Sequence, residues 1–166
     1  MGLALDIVRT WRHPRQVMAR FLSQGQREDR VFMFLMFACA LIFLSRWPGL
    51  VRLSLLNPDT PLNILLGGAL FGWLFIVPPA AYVLAAFTRL TARLFGGQGS
   101  WYSARLALFW SLLAAAPFWI VNGLVSGYGV PDIWQKAVGA IALAAFLLIW
   151  LSSLHWAEFH ESGHPE

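Results

Sequence analysis

The chain has 166 residues, of which 58% are hydrophobic and only 12% are charged. A soluble domain carries about 25% charged residues, and one of this size has no interior large enough to hide so much apolar surface, so an ordinary water-soluble fold is excluded. The formal charge is +4, carried on the basic side by eleven arginines and one lysine, Lys136. Most of these arginines flank apolar segments, where the positive-inside rule accounts for them, so nucleic-acid binding is not the reading of the charge. The arginine bias, with abundant Ala, Leu and Gly, points to a GC-rich bacterial genome. Cys39 is the single cysteine, so there is no disulfide framework. Residues 1–30 hold no unbroken apolar run, and no cleavable signal peptide is expected.

Residues 3–24 sort helically. Ala4, Ile7, Val8, Trp11, Met18, Phe21 and Leu22 fall on one side, and Asp6, Arg9, Gln16 and Arg20 on the other. That pattern predicts an amphipathic segment lying in the membrane interface, with Ile7, Trp11, Met18 and Phe21 as its anchors. Pro14 lacks an amide proton, so a kink or two short helices are expected there. Four apolar stretches follow, at about 31–47, 62–87, 104–124 and 133–156. Each is close to the ~20 residues that a bilayer core of ~30 Å requires. The first ends at Pro48-Gly49. The second contains Pro78-Pro79, but splitting it there leaves halves too short to span, so it reads as one kinked helix. Residues 157–166 read as a polar tail.

The predicted fold is therefore all-α, a four-helix transmembrane bundle behind an interfacial helix. Counting Arg and Lys near the ends sets the orientation. With the N-terminus in the cytoplasm, that side holds Arg9, Arg12, Arg15, Arg20, Arg27, Arg30, Arg89, Arg93 and Arg105, against Arg46, Arg52 and Lys136 outside. Both termini are then cytoplasmic, in a bacterial inner membrane. Trp47 and Trp134 are placed at the outer interface, and Trp101, Tyr102 and Trp156 at the inner one, as aromatic belts require.

The predicted spans carry no ionisable group away from their ends, which argues against an ion-coupled transporter. The polar inventory expected to be buried there is little more than Asn122, Ser111, Ser152 and Ser153. Asn122 is expected to make an interhelical hydrogen bond. His155 and Glu158 lie three apart and would share a helix face with His160, Glu161 and His164 nearby, but the spacing matches no strong metal signature, HExxH included. Neither a metal nor a cofactor is expected. Cys39 lies among apolar residues, which leave a thiol inert. There is no GxSxG and no phosphate-binding GxxxxGK, and Glu28-Asp29 reads as a charge cluster at a helix start. The chain is not expected to be an enzyme.

Two glycine patterns stand out. Gly68 and Gly72, beside Gly67, form a GxxxG in the second span, and small residues four apart let another helix approach closely; a partner within the same chain is expected. Phe95-Gly-Gly-Gln-Gly-Ser100-Trp101 reads as a tight cytoplasmic turn through Gly96, Gly97 and Gly99, with Ser100 or Ser103 capping the next helix.

The order of these features resembles the Yip1 family of small polytopic membrane proteins. The likeness rests on Arg12-His-Pro14-Arg15 followed by Phe21-Leu22 ahead of the first span. It rests also on LFGGQGSWYSARLALFWSLLAAAPFWI, from Leu94 to Ile120, which is similar to the family's glycine-rich turn leading into a proline-bearing span, here with Pro117. Family members often have five spans, and this chain has four predicted ones. The resemblance implies a non-catalytic role in membrane organisation or protein–protein interaction, with no catalytic residues to carry over. The alternative is a small accessory subunit of a larger respiratory or photosynthetic membrane complex. Either way, the expected partners are the lipid bilayer and other membrane subunits or a second copy of the chain.

Overall fold

The computed structural model of the protein describes residues 2–159. Among these, all regular structure is helical: α1 (Leu3–Arg12), α2 (Pro14–Ser23), α3 (Glu28–Leu56), α4 (Leu62–Phe71), a π-helical turn (Gly72–Ile76), α5 (Val77–Leu94), α6 (Trp101–Ala114), α7 (Ala116–Tyr128) and α8 (Asp132–Phe159). Three helical segments are long and apolar enough to cross a membrane: α3, the continuous Leu62–Leu94 segment, and α8. A fourth is formed only if α6 and α7, bent by 41° at Ala115, act as one. Pro117 lies in the first turn of α7, where its missing N–H leaves an α6 carbonyl without a donor, and the bend follows. The second predicted span is one continuous helical segment, as expected, with the π turn immediately before Pro78-Pro79.

The centre of the fold is α6. Eleven of its fourteen residues are buried, whereas the apolar windows of Leu62–Leu94 and α8 are only 11% and 17% buried. The outer helices therefore turn most of their apolar surface away from the protein, as helices solvated by lipid do. Trp110 anchors the core, with Phe21 edge-on at 4.7 Å and Phe34 at 4.9 Å between ring centroids.

Helix α3 runs on past its predicted end at Pro48-Gly49 to Leu56. Pro48 removes one backbone donor, but α7 runs parallel alongside and holds both sides of the interruption. A Cβ on Gly123 would lie 1.8 Å from the Ser45 carbonyl oxygen, and one on Gly127 2.4 Å from Pro48 Cβ. Such backbone contact is possible only without side chains. Beyond it, Arg52 Nη1 reaches the Ser126 carbonyl at 3.5 Å.

The N-terminal segment departs from its predicted placement. It breaks at His13-Pro14, as Pro14 dictates, but the two short helices fold back on one another, with Asp6 and Arg20 paired at 2.6 Å. This hairpin stands against α6 and α8, with α1 on the former and α2 mainly on the latter. Thr10 Oγ1 donates to the Asp6 carbonyl at 2.7 Å and accepts from Trp110 Nε1 at 3.0 Å, and Trp11 Nε1 donates to the Ala114 carbonyl at 2.9 Å. Met18 and Phe21, expected as interfacial anchors, are buried in the core with Val17, and Ile7 packs against it. Trp11 stays 43% exposed, beside Phe118. Asp6, from the polar side of the pattern, is buried, and so is Thr10. The physical reason is competition: a bundle surface offering Trp110 and Phe34 contributes packing and hydrogen bonds that a headgroup layer does not. The outward face of α1 keeps Leu5 and Val8 exposed.

Candidate functional site

The charged ends of α5 and α8 meet at the start of α6. Arg89 lies one turn before the end of α5, and its Nη1 pairs with Glu158 Oε2 at 2.7 Å while donating to the Gly97 carbonyl at 3.2 Å. The Arg89 and Glu158 side chains are 13% and 0% exposed. The glycine-rich turn closes over this pair. The Gln98 amide donates to the Glu158 carbonyl at 2.8 Å. A Cβ on Gly97 would meet Glu158 Oε2 at 2.8 Å, and one on Gly99 the Ala157 carbonyl at 2.7 Å. Gly96 turns the chain with a φ of +83°, the left-handed region that glycine enters without a Cβ penalty. Ser100 then caps α6 in a reciprocal capping box with Ser103, so the expected cap is in place.

The turn thus does more than reverse the chain. It is a glycine collar fitted around a buried carboxylate, tying α5, α6 and α8 together. Glu158 and Ala157 were expected to open the polar tail. They lie instead in the last turn of α8, both fully buried. A lone acid ending an apolar helix, an arginine ending another, and a run of glycines are each visible in the sequence. Their meeting depends on topology across 69 positions. His155 is exposed at the same helix end, and His160, Glu161 and His164 lie outside the described residues. No group of three or more His, Cys, Asp or Glu among the described residues is placed to hold a metal ion. Cys39 is buried in the apolar core.

The GxxxG of the second span is open. A Cβ on Gly67, Gly68 or Gly72 would meet nothing within 4 Å, so the expected partner within the chain is absent among the described residues. The internal close approach is made instead by Gly123 and Gly127, a GxxxG that begins at the end of the third predicted span and runs past it, because α7 continues to Tyr128. Nothing local separates the two motifs; only the parallel pairing of α3 and α7 decides which is filled.

The remaining expected positions divide. Trp101 and Trp134 are exposed in the first turns of α6 and α8, and Trp47 is exposed too, but inside α3 rather than at its end, because that helix continues to Leu56. Tyr102 is not a belt residue: it is buried, with its hydroxyl 3.4 Å from the Gly25 carbonyl. Trp156 packs partly against the core. Asn122 does not make the expected hydrogen bond through Oδ1, which faces Gly139 of α8 at the edge of a cavity shared with Asp132, Gln135 and Lys136. Ser111 and Ser152 return their hydroxyls to carbonyls of their own helices, at 2.6 and 3.0 Å. Comparison with known protein families, characterised proteins and solved structures finds no match to this chain.

Proposed function

We propose that the chain is a non-enzymatic, multi-pass protein of the bacterial inner membrane that works by protein–protein contact within the bilayer. The observation that carries this reading is the uncovered small-residue face of α4. Gly67, Gly68 and Gly72 have nothing within 4 Å of a Cβ position, and the segment around them is 11% buried. Helices in lipid associate through such faces by van der Waals packing rather than by apolar burial. The two candidate roles are a Yip1-type membrane organiser and an accessory subunit. An open, uncharged face on the second span favours the accessory subunit of a larger membrane complex.

The test is gentle detergent extraction followed by native electrophoresis. The wild-type chain is expected in an assembly well above its own 18.6 kDa, and Gly68→Leu/Gly72→Leu is expected to leave that assembly while melting as the wild type does. A wild-type chain running as a monomer, or a double variant that stays in the assembly, overturns the reading. An assembly containing only multiples of this chain makes the partner a second copy.

The orientation proposed with this function is N-terminus and C-terminus both cytoplasmic, on the nine-to-three arginine and lysine asymmetry. Reporters that work only outside the cytoplasm are expected to be active at 57–61 and 129–131 and silent after Glu166. An active reporter at the C-terminus would mean that the bent α6–α7 pair is not one span.

A further inference from the structure

A cavity of about 390 Å³ opens where the start of α1, the end of α2 and the start of α3 converge, lined by Leu3, Asp6, Arg20, Phe21, Arg30 and Phe34 together with Gln24. Both arginines stack on one ring, with guanidinium carbons 5.4 Å (Arg20) and 5.2 Å (Arg30) from the Phe21 centroid. Asp6 is paired with Arg20. Arg30 is held differently. It donates to the Gln24 side-chain carbonyl and, at 3.2 Å, to the Phe21 backbone carbonyl, both uncharged acceptors. The carboxylates nearest it in sequence are engaged elsewhere, Asp29 with Arg27 and Glu28 with Arg105. Among the described residues no carboxylate pairs with Arg30, and its Nε–H is buried without an acceptor.

Among the described residues the cavity therefore holds one guanidinium, that of Arg30, with no carboxylate paired to it, a positive charge in a recess with two aromatic walls. A single negative charge with several acceptor oxygens neutralises it, and guanidinium–phosphate pairing is the strong, geometrically matched way to do so. The rim supplies the rest of the description. Leu3 is exposed there, and α1 continues outward with exposed Leu5 and Val8, a surface suited to acyl chains rather than to water. We infer that this cavity binds the phosphodiester headgroup of an anionic glycerophospholipid, with Arg30 as the principal contact. A phosphatidylglycerol-type headgroup, carrying one net charge, fits the count; a phosphatidylethanolamine-type zwitterion leaves the site charged. This inference is independent of the α4 contact proposed above.

The experiment uses the full chain in a phosphate-free maltoside detergent, with native mass spectrometry after adding phosphatidylglycerol, phosphatidylethanolamine or inorganic phosphate. One phosphatidylglycerol is expected to be retained about tenfold better than phosphatidylethanolamine, and Arg30→Gln is expected to reduce that retention about tenfold. Gln24→Glu places a carboxylate beside Arg30 at an exposed, nearly isosteric position, so it should erase the preference even if Arg30→Gln folds poorly. Arg93→Gln removes the same charge from an exposed site on α5 and should change nothing. Equal retention of the two lipids, or equal losses in the Arg30 and Arg93 variants, overturns the site in favour of diffuse surface attraction. Displacement of the lipid by inorganic phosphate at matched concentration overturns the lipid assignment.

Discussion

Gly123→Ala is expected to be among the most damaging single-methyl additions in the protein. Alanine gains about 1 kcal/mol over glycine from helix propensity, so a reading of α7 alone predicts stabilisation. The structure reverses the sign. The added Cβ would sit 1.8 Å from the Ser45 carbonyl oxygen and 2.5 Å from its carbon. These are backbone atoms that cannot rotate aside, so α3 and α7 must separate along their length. Overpacking costs about 1–3 kcal/mol and sometimes more, and here the upper end applies. Melting in mild detergent should show a clear loss for Gly123→Ala and little change for Gly68→Ala, whose new methyl meets open space. Gly49→Ala should fall between them, because its nearest obstacle is the Ser126 hydroxyl, a side chain that can turn. A Gly123→Ala protein as stable as the wild type would show that the two helices do not cross this closely.

Arg89→Ala should destabilise the fold by about 3–5 kcal/mol, the usual consequence of removing one partner from a buried ion pair. The Glu158 side chain is fully buried, so its carboxylate would lose the guanidinium contact at 2.7 Å in a surrounding that solvates charge poorly. Glu158→Gln should cost less, about 1–3 kcal/mol, since it leaves a polar but uncharged group under the glycine collar. The double variant Arg89→Met/Glu158→Met separates charge from shape: replacing both ions with apolar groups of similar length is often near neutral, so most of the loss should return. Denaturant titration of the purified protein checks all three. A wild-type-like Arg89→Ala would mean that the pair contributes no more than a surface ion pair does.

These two sites show where sequence patterning stops. The apolar stretches, the break at His13-Pro14, the Ser100 cap and the continuity of the second span through Pro78-Pro79 are local, because hydrophobic run length and proline chemistry act over a few residues. The failures share one cause. The pattern of residues 3–24 put Asp6 on an outward face, yet Asp6 is buried beside Thr10, whose burial depends on a hydrogen bond from Trp110, a hundred positions away. Glu158 looked like tail because its partner sits on another helix. Gly68/Gly72 and Gly123/Gly127 are equivalent as strings, and only the partner across the contact distinguishes an occupied groove from an open one. Long-range pairing is not written in periodicity.

The wide turn at Gly72–Ile76 also sets a requirement on length. The inward line of the second span runs through Leu62, Leu66, Ala69, Trp73, Val77, Ala81, Ala85 and Ala92. Over about thirty residues, a regular helix of 3.6 residues per turn would bring its last inward residue about 120° out of phase with its first. A π turn absorbs roughly one extra residue, or about 100° of that drift, so a single side of the helix can face α3 and α6 from end to end. None of the five side chains in the turn is fully buried, so the number of residues in the turn matters apart from their packing. Homologous chains should therefore tolerate neither a gained nor a lost residue there.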